Sequence, residues 1–117
     1  MDTRIFGPPA SSLDPAHVLF GKTRKAILQL LFYYPEHFFN LRDIARHTGI
    51  SPGAIHRDVT KLYRCGIIDR MPYEWWVNYR PNMEHPLYDD LESIVHQTMG
   101  FPVLNPVQPV IRGIENL

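Results

Sequence analysis

His56, Arg57, Thr60, Lys61 and Arg64 recur at intervals that place all five on one side of a helix. These are donor-bearing side chains of the kind that a DNA major groove accepts. A guanidinium fork matches the paired acceptors of guanine, and further cations along the same face meet phosphates. His56 and Arg57, in the first two turns, are the candidates for reading bases. Lys61 and Arg64, further along, are candidates for the backbone. Ser51 and Gly53 stand ahead of them at the helix start, where the absence of a side chain on Gly53 permits close approach and free N–H groups can bind phosphate. The same charges also suit a plain solvated helix face, so the surrounding elements have to decide between the two.

Those elements are legible. Asn40 can cap a helix whose third residue is Asp43, a capping box with Asp in place of Glu, and Leu41, Ile44 and Ala45 give it a short apolar face. A helix over residues 41–48 follows, with Gly49 as its left-handed end and Ile50 as an apolar plug. Ser51-Pro52 is an N-cap followed by proline in the first turn, so a second helix over 51–64 is expected, with Ile55, Val59 and Leu62 turned inward and Gly66 ending it. Ile67-Ile68, a turn at Pro72-Tyr73-Glu74 and the run from Trp75 to Arg80 then predict a two-stranded hairpin. By strand alternation Val77 and Tyr79 face the core, while Trp76, Asn78 and Arg80 face out. Either the exposed indole is a partner surface or both indoles fold over the domain's own edge. Upstream, helices are expected over 14–20 and 22–34, the second with Ala26, Ile27, Leu30 and Leu31 as core, and Phe38-Phe39 as a minimal strand. Downstream, a helix over 87–99 places Leu87, Leu91, Ile94 and Thr98 on one face. Arg42 and Arg46, on the 41–48 helix, either touch the DNA backbone or pair with Asp43 or Asp58.

The chain has 117 residues with 12 basic and 12 acidic, a zero balance that by itself argues against a polyanion partner. The distribution argues the other way. Residues 41–80 hold seven Lys/Arg against four Asp/Glu, whereas residues 81–117 hold one against five. A single cysteine, Cys65, excludes a disulfide framework and reads as a buried packing residue; a cytoplasmic, soluble protein with no membrane span or signal peptide is expected. Four regions are expected: a flexible N-terminal arm over 1–12 bearing Arg4, a main domain over 13–82, a terminal helix over 83–100, and a proline-interleaved tail over 101–117 that is either clamped on the body or loose. No phosphate loop, metalloprotease motif or nucleophile elbow is present, so no enzyme and no cofactor are expected. His85 and His96 with Asp89, Asp90 and Glu92 are the right donors for zinc, but the pattern is incomplete and no metal site is expected.

Leu19-Phe20-Gly21-Lys22-Thr23-Arg24, Leu41-Arg42-Asp43-Ile44-Ala45-Arg46, Gly49-Ile50-Ser51-Pro52-Gly53, Gly66-Ile67-Ile68, Tyr79-Arg80-Pro81-Asn82 and Glu84-His85-Pro86-Leu87-Tyr88 together resemble the winged helix-turn-helix regulators of the ArsR-like group. More narrowly, they resemble the subgroup found ahead of nucleotidyltransferase domains. The resemblance implies a mainly α fold with a small β-wing and a homodimer built on the terminal helix through Leu87, Leu91, Ile94 and Thr98. It also implies sequence-specific binding of double-stranded DNA by Arg42, Arg46, Ser51, Gly53, His56, Arg57, Thr60, Lys61, Arg64 and Trp76. The chain departs from the pattern at the wing, where relatives carry a small turn and then an Arg but Tyr73-Glu74-Trp75-Trp76 stands here. The alternative function is a winged-helix interaction module that recruits or restrains a nucleotidyltransferase-like partner through the wing or the tail.

Overall fold

Asp14 starts the first helix by accepting a hydrogen bond from the Ala16 N–H at 3.1 Å, with Pro15 in the first turn. The structure is a computed structural model that describes residues 13–104; the expected arm over 1–12, with Arg4, and the tail beyond 104 lie outside the described residues. The first helix, α1 (Pro15–Tyr33), breaks at Gly21, whose φ of 79° and ψ of 171° leave the helical region. The two expected helices are thus distinct, joined at a kink. The break is tied down on both sides. Arg24 Nε donates to the Phe20 carbonyl at 3.2 Å, capturing an acceptor that the break would orphan, and Lys25 pairs with Asp14.

Past the break, α1 is the centre of the domain. Ile27, Leu28, Leu30, Leu31 and Phe32 are all buried, more than one helical stripe can supply, because the other helices pack around it. The stripe read from spacing missed Leu28 and Phe32 for that reason. After β1 (Phe39–Asn40), α2 (Leu41–Thr48) is capped as expected, with Asn40 Oδ1 accepting from Asp43 N–H at 2.8 Å. It ends at Gly49, left-handed at φ 71°, whose N–H donates to Ala45 O. Helix α3 (Pro52–Arg64) begins at the Ser51 cap and closes in a Schellman motif: Ile67 N–H donates to Leu62 O and Gly66 N–H to Tyr63 O, both at 3.0 Å, with Gly66 at φ 83°.

Strands β2 (Ile68–Tyr73) and β3 (Trp76–Pro81) form an antiparallel hairpin, and β1 pairs on the far side of β3, giving the order β1-β3-β2. The turn is Glu74-Trp75, not Pro72-Tyr73-Glu74: Pro72 lies inside β2 opposite Val77, tolerated because β2 is an edge strand with a side free of ladder bonds. Val77 is 39 % exposed, because the hairpin runs past the body before alternation can bury it, whereas Tyr79 on the same face is buried. Glu74 adopts φ 55°, a positive value that glycine takes without cost. Glu74→Gly should therefore raise stability by about 1 kcal/mol, read as a higher midpoint in denaturant with an unchanged slope.

Helix α4 (Tyr88–Thr98) packs on α1 through Val95 and Met99, both buried, with Tyr88 and Leu91 partly buried beside them and the Tyr88 ring stacked on Phe32 at 5.5 Å. Four helices and one three-stranded antiparallel sheet make a mixed α/β domain, compatible with a winged helix.

Candidate nucleic-acid interface

Ile55, Val59 and Leu62 anchor α3 in the core, as its spacing predicts, and Asp58 is buried with them. Asp58 was missed as an inward residue. It meets Arg24 Nη1 at 3.6 Å, so the guanidinium that ties down the break in α1 also fixes α3. With those four residues inward, Ser51, Gly53, His56, Arg57, Lys61 and Arg64 are exposed and Thr60 is half-buried, so six of the seven candidates on this helix share the solvent side. A Cβ on Gly53 would meet nothing within 4 Å, which leaves the start of α3 open to an incoming backbone.

Arg42 and Arg46 separate. Arg46 Nη1 pairs with Asp43 at 3.0 Å, one of the two roles left open for it, while Asp58 goes to Arg24 instead. The Arg42 guanidinium lies 5.8 Å from the Trp76 ring centre. Two further arginines, neither among the candidate DNA-binding residues, lie over aromatic rings: Arg70 over Tyr63 at 4.6 Å and Arg80, expected to face out, over Phe38 at 4.7 Å. Tyr63 was within reach of the helical spacing, three residues beyond Thr60. The pairing of Arg70 with Tyr63 required the register of a hairpin whose turn had been set early.

Trp75 is almost wholly exposed and Trp76 nearly half, so folding of both indoles over the domain's edge is not what this chain does. Cys65 is exposed rather than buried, because it caps α3 at a point where the chain has left the core. Its carbonyl is 3.2 Å from His85 Nε2, and His85 Nδ1 accepts from Leu87 N–H at 3.0 Å. That assigns His85 the neutral form with hydrogen on Nε2, a bridge between the end of α3 and the start of α4. Asn82 reinforces it by donating from Nδ2 to Gly66 O at 3.0 Å. No group of three or more metal-ligating side chains comes together among the described residues.

On α4, Leu91 packs on its own domain, Ile94 and Thr98 are half-buried, and Leu87 is 47 % exposed. The deeply buried stripe therefore runs through Val95 and Met99, displaced from the stripe the sequence suggested. The segment after α4 is held to α1: Tyr33 Oη donates to Met99 O at 2.8 Å, Gln29 Nε2 donates to Gly100 O at 2.7 Å, and the Tyr33 and Phe101 rings are 4.4 Å apart. Of the expected tail, Phe101 is the residue that these contacts reach. The α4 start is the acidic end of the molecule, where burial first and then the carboxylates of Glu92, Asp89 and Glu36 push the Tyr88 phenol up.

His47, at the end of α2 with Phe39 edge-on at 5.9 Å, has its pKa held below the ordinary value of 6.5, by burial first and by Arg46 next, with Asp43 opposing. A base whose folded pKa is depressed contributes stability that is full above the unfolded pKa and is lost as pH falls through the folded one. His47→Gln should therefore shrink the drop in melting temperature between about pH 7.5 and about pH 5, measured by thermal denaturation.

No protein-family model matches the chain, and no curated protein matches it. No helix among the described residues is long and apolar enough to cross a membrane.

Proposed function

We propose that the chain is a winged helix-turn-helix transcriptional regulator, similar to the ArsR-like group, that acts in the cytoplasm as a homodimer and binds double-stranded DNA by sequence. The observation that carries this reading is α3: an apolar side locked in the core by Ile55, Val59 and Leu62, and an outer side of His56, Arg57, Lys61 and Arg64 behind an open, capped N-terminus. This suits a helix that enters a major groove with its first turns toward base edges. The hairpin serves as the wing, and Arg42, Arg70 and Arg80 border it with positive charge. The outer face of α4, with Leu87 and Ile94, serves as the contact between protomers and sets two copies of α3 on a palindromic site.

Selection of binding sites from random duplex DNA with purified protein tests the proposal. An enriched palindromic motif supports it, and a pool that stays random contradicts it. A second reading, an interaction module for a nucleotidyltransferase-like or other protein, draws on the exposed Trp75 and Trp76. Salt-insensitive association with a protein in the absence of DNA binding would favour that reading.

A further inference from the structure

His85 uses both nitrogens of its ring, and one protonation state alone allows this. Nε2 is 3.2 Å from the Cys65 carbonyl, which can only accept, so Nε2 carries the hydrogen; Nδ1 is 3.0 Å from the Leu87 N–H, which can only donate, so Nδ1 offers its lone pair. The first partner lies at the C-cap of α3 and the second at the N-cap of α4, where the cap residue itself makes no side-chain bond. Both are backbone groups of the kind that a helix end leaves over.

The ring is held from several sides. A Cβ on Gly66 would meet His85 Cδ2 at 3.3 Å, so the ring takes room that glycine leaves there. Asn82 donates from Nδ2 to Gly66 O at 3.0 Å and from its N–H to Ile67 O at 2.9 Å, and the His85 N–H donates to Asn82 O at 3.1 Å. The Tyr88 N–H closes the loop by donating to the His85 carbonyl at 2.9 Å. The charged and titratable side chains on the segments that meet here are Arg64 and Cys65 of α3, Asp69 of β2, Arg80 of β3, Glu84 of the loop, and Tyr88 and Asp89 of α4. Among the described residues none of these side chains is a hydrogen-bond or ion-pair partner of the ring; its partners are the two backbone groups. A proton added to Nδ1 therefore meets the Leu87 N–H, donor against donor, with no carboxylate paired to the ring to hold the charged form in this pose. The bond to Cys65 survives protonation and the bond to Leu87 does not.

We infer that His85 is a proton-operated link between α3 and α4: the neutral ring fixes the start of α4 against the end of α3, and protonation of Nδ1 releases it. The link stands on the contacts of the ring. Its consequence for DNA rests on the proposed roles of the two helices, since α4 joins the protomers and α3 enters the groove, so that the ring helps to set the spacing of two copies of α3.

Ring nitrogen shifts and amide hydrogen exchange of the full chain, followed by NMR from about pH 8 to about pH 5, where histidines charge, test the link. At the high end the His85 ring should show a bare Nδ1 and a protonated Nε2. On acidification the protection of the Leu87 amide should fall about tenfold, corrected for the intrinsic effect of pH on exchange, while that of Val59 in the core holds. His85→Asn keeps an acceptor as far along the side chain as Nδ1 and cannot titrate, so its Leu87 protection should stay constant across the interval; His85→Ala should lack that protection at both ends. A hydrogen on Nδ1 at high pH, a Leu87 protection in the wild type that does not fall, or a fall that persists in His85→Asn overturns the inference and leaves the α3 reading standing. The expected pattern in a protein that binds duplex DNA at no pH keeps the link and overturns the α3 reading.

Discussion

Arg57→Ala should weaken binding to a matched duplex by about 1–3 kcal/mol and relax base preference at one position of each half-site. Arg57 is exposed in the second turn of α3, on the side opposite Ile55 and Val59, where the docking geometry of such helices directs side chains to base edges. Lys61 and Arg64 occupy the later turns. Their replacement together by Ala should lower affinity alike for matched and scrambled DNA, and flatten the dependence of log affinity on log salt by about two units. The contrast separates base reading from charge neutralisation. The zero formal charge of the whole chain sharpens it, because attraction then depends on how the basic 41–80 segment is oriented. Titrations of both duplexes at several salt concentrations measure all of this. Loss of all three charges without effect on duplex binding would remove α3 as the recognition element.

Leu87→Glu with Ile94→Glu should convert the proposed homodimer to a folded monomer, and lower affinity for a palindromic site by at least about a hundredfold because the second half-site no longer binds intramolecularly. These two positions are the clean probe. Leu91 packs on its own domain, so a charge there would damage the monomer as well as the interface, whereas Leu87 is nearly half exposed. Sedimentation checks the mass and circular dichroism checks the fold. A wild-type protein that sediments as a monomer at high concentration sinks the dimer, and with it the expectation of a palindromic site.

How much of the molecule could be read from the chain depended on how local the deciding interaction was. The caps at Asn40 and Ser51, the left-handed glycines 49 and 66, and the inward residues Ile55, Val59 and Leu62 are set within a few residues of themselves, and the sequence displays them. The hairpin turn was placed early because Pro72 reads as a breaker, and nothing local says that β2 is an edge strand where proline is harmless. Asp58 reads as a surface acid until Arg24, thirty-four positions earlier, is brought beside it by the packing of α1 on α3. Val95 and Met99 were passed over on α4 because its buried side is fixed by α1, not by its own most apolar stripe. Of the candidate site, the α3 side was legible from helical spacing alone. The stacking of Arg70 on Tyr63 and of Arg80 on Phe38 was not, since each joins two elements.

Binding isotherms on a duplex obtained by selection and on its scrambled counterpart, each at three or more salt concentrations, decide whether the protein reads DNA sequence. The expected result is tighter binding to the selected duplex, by about a thousandfold or more at physiological salt, with steep salt dependence on both. Equal affinity for the two sequences, or no measurable binding to either, would contradict it.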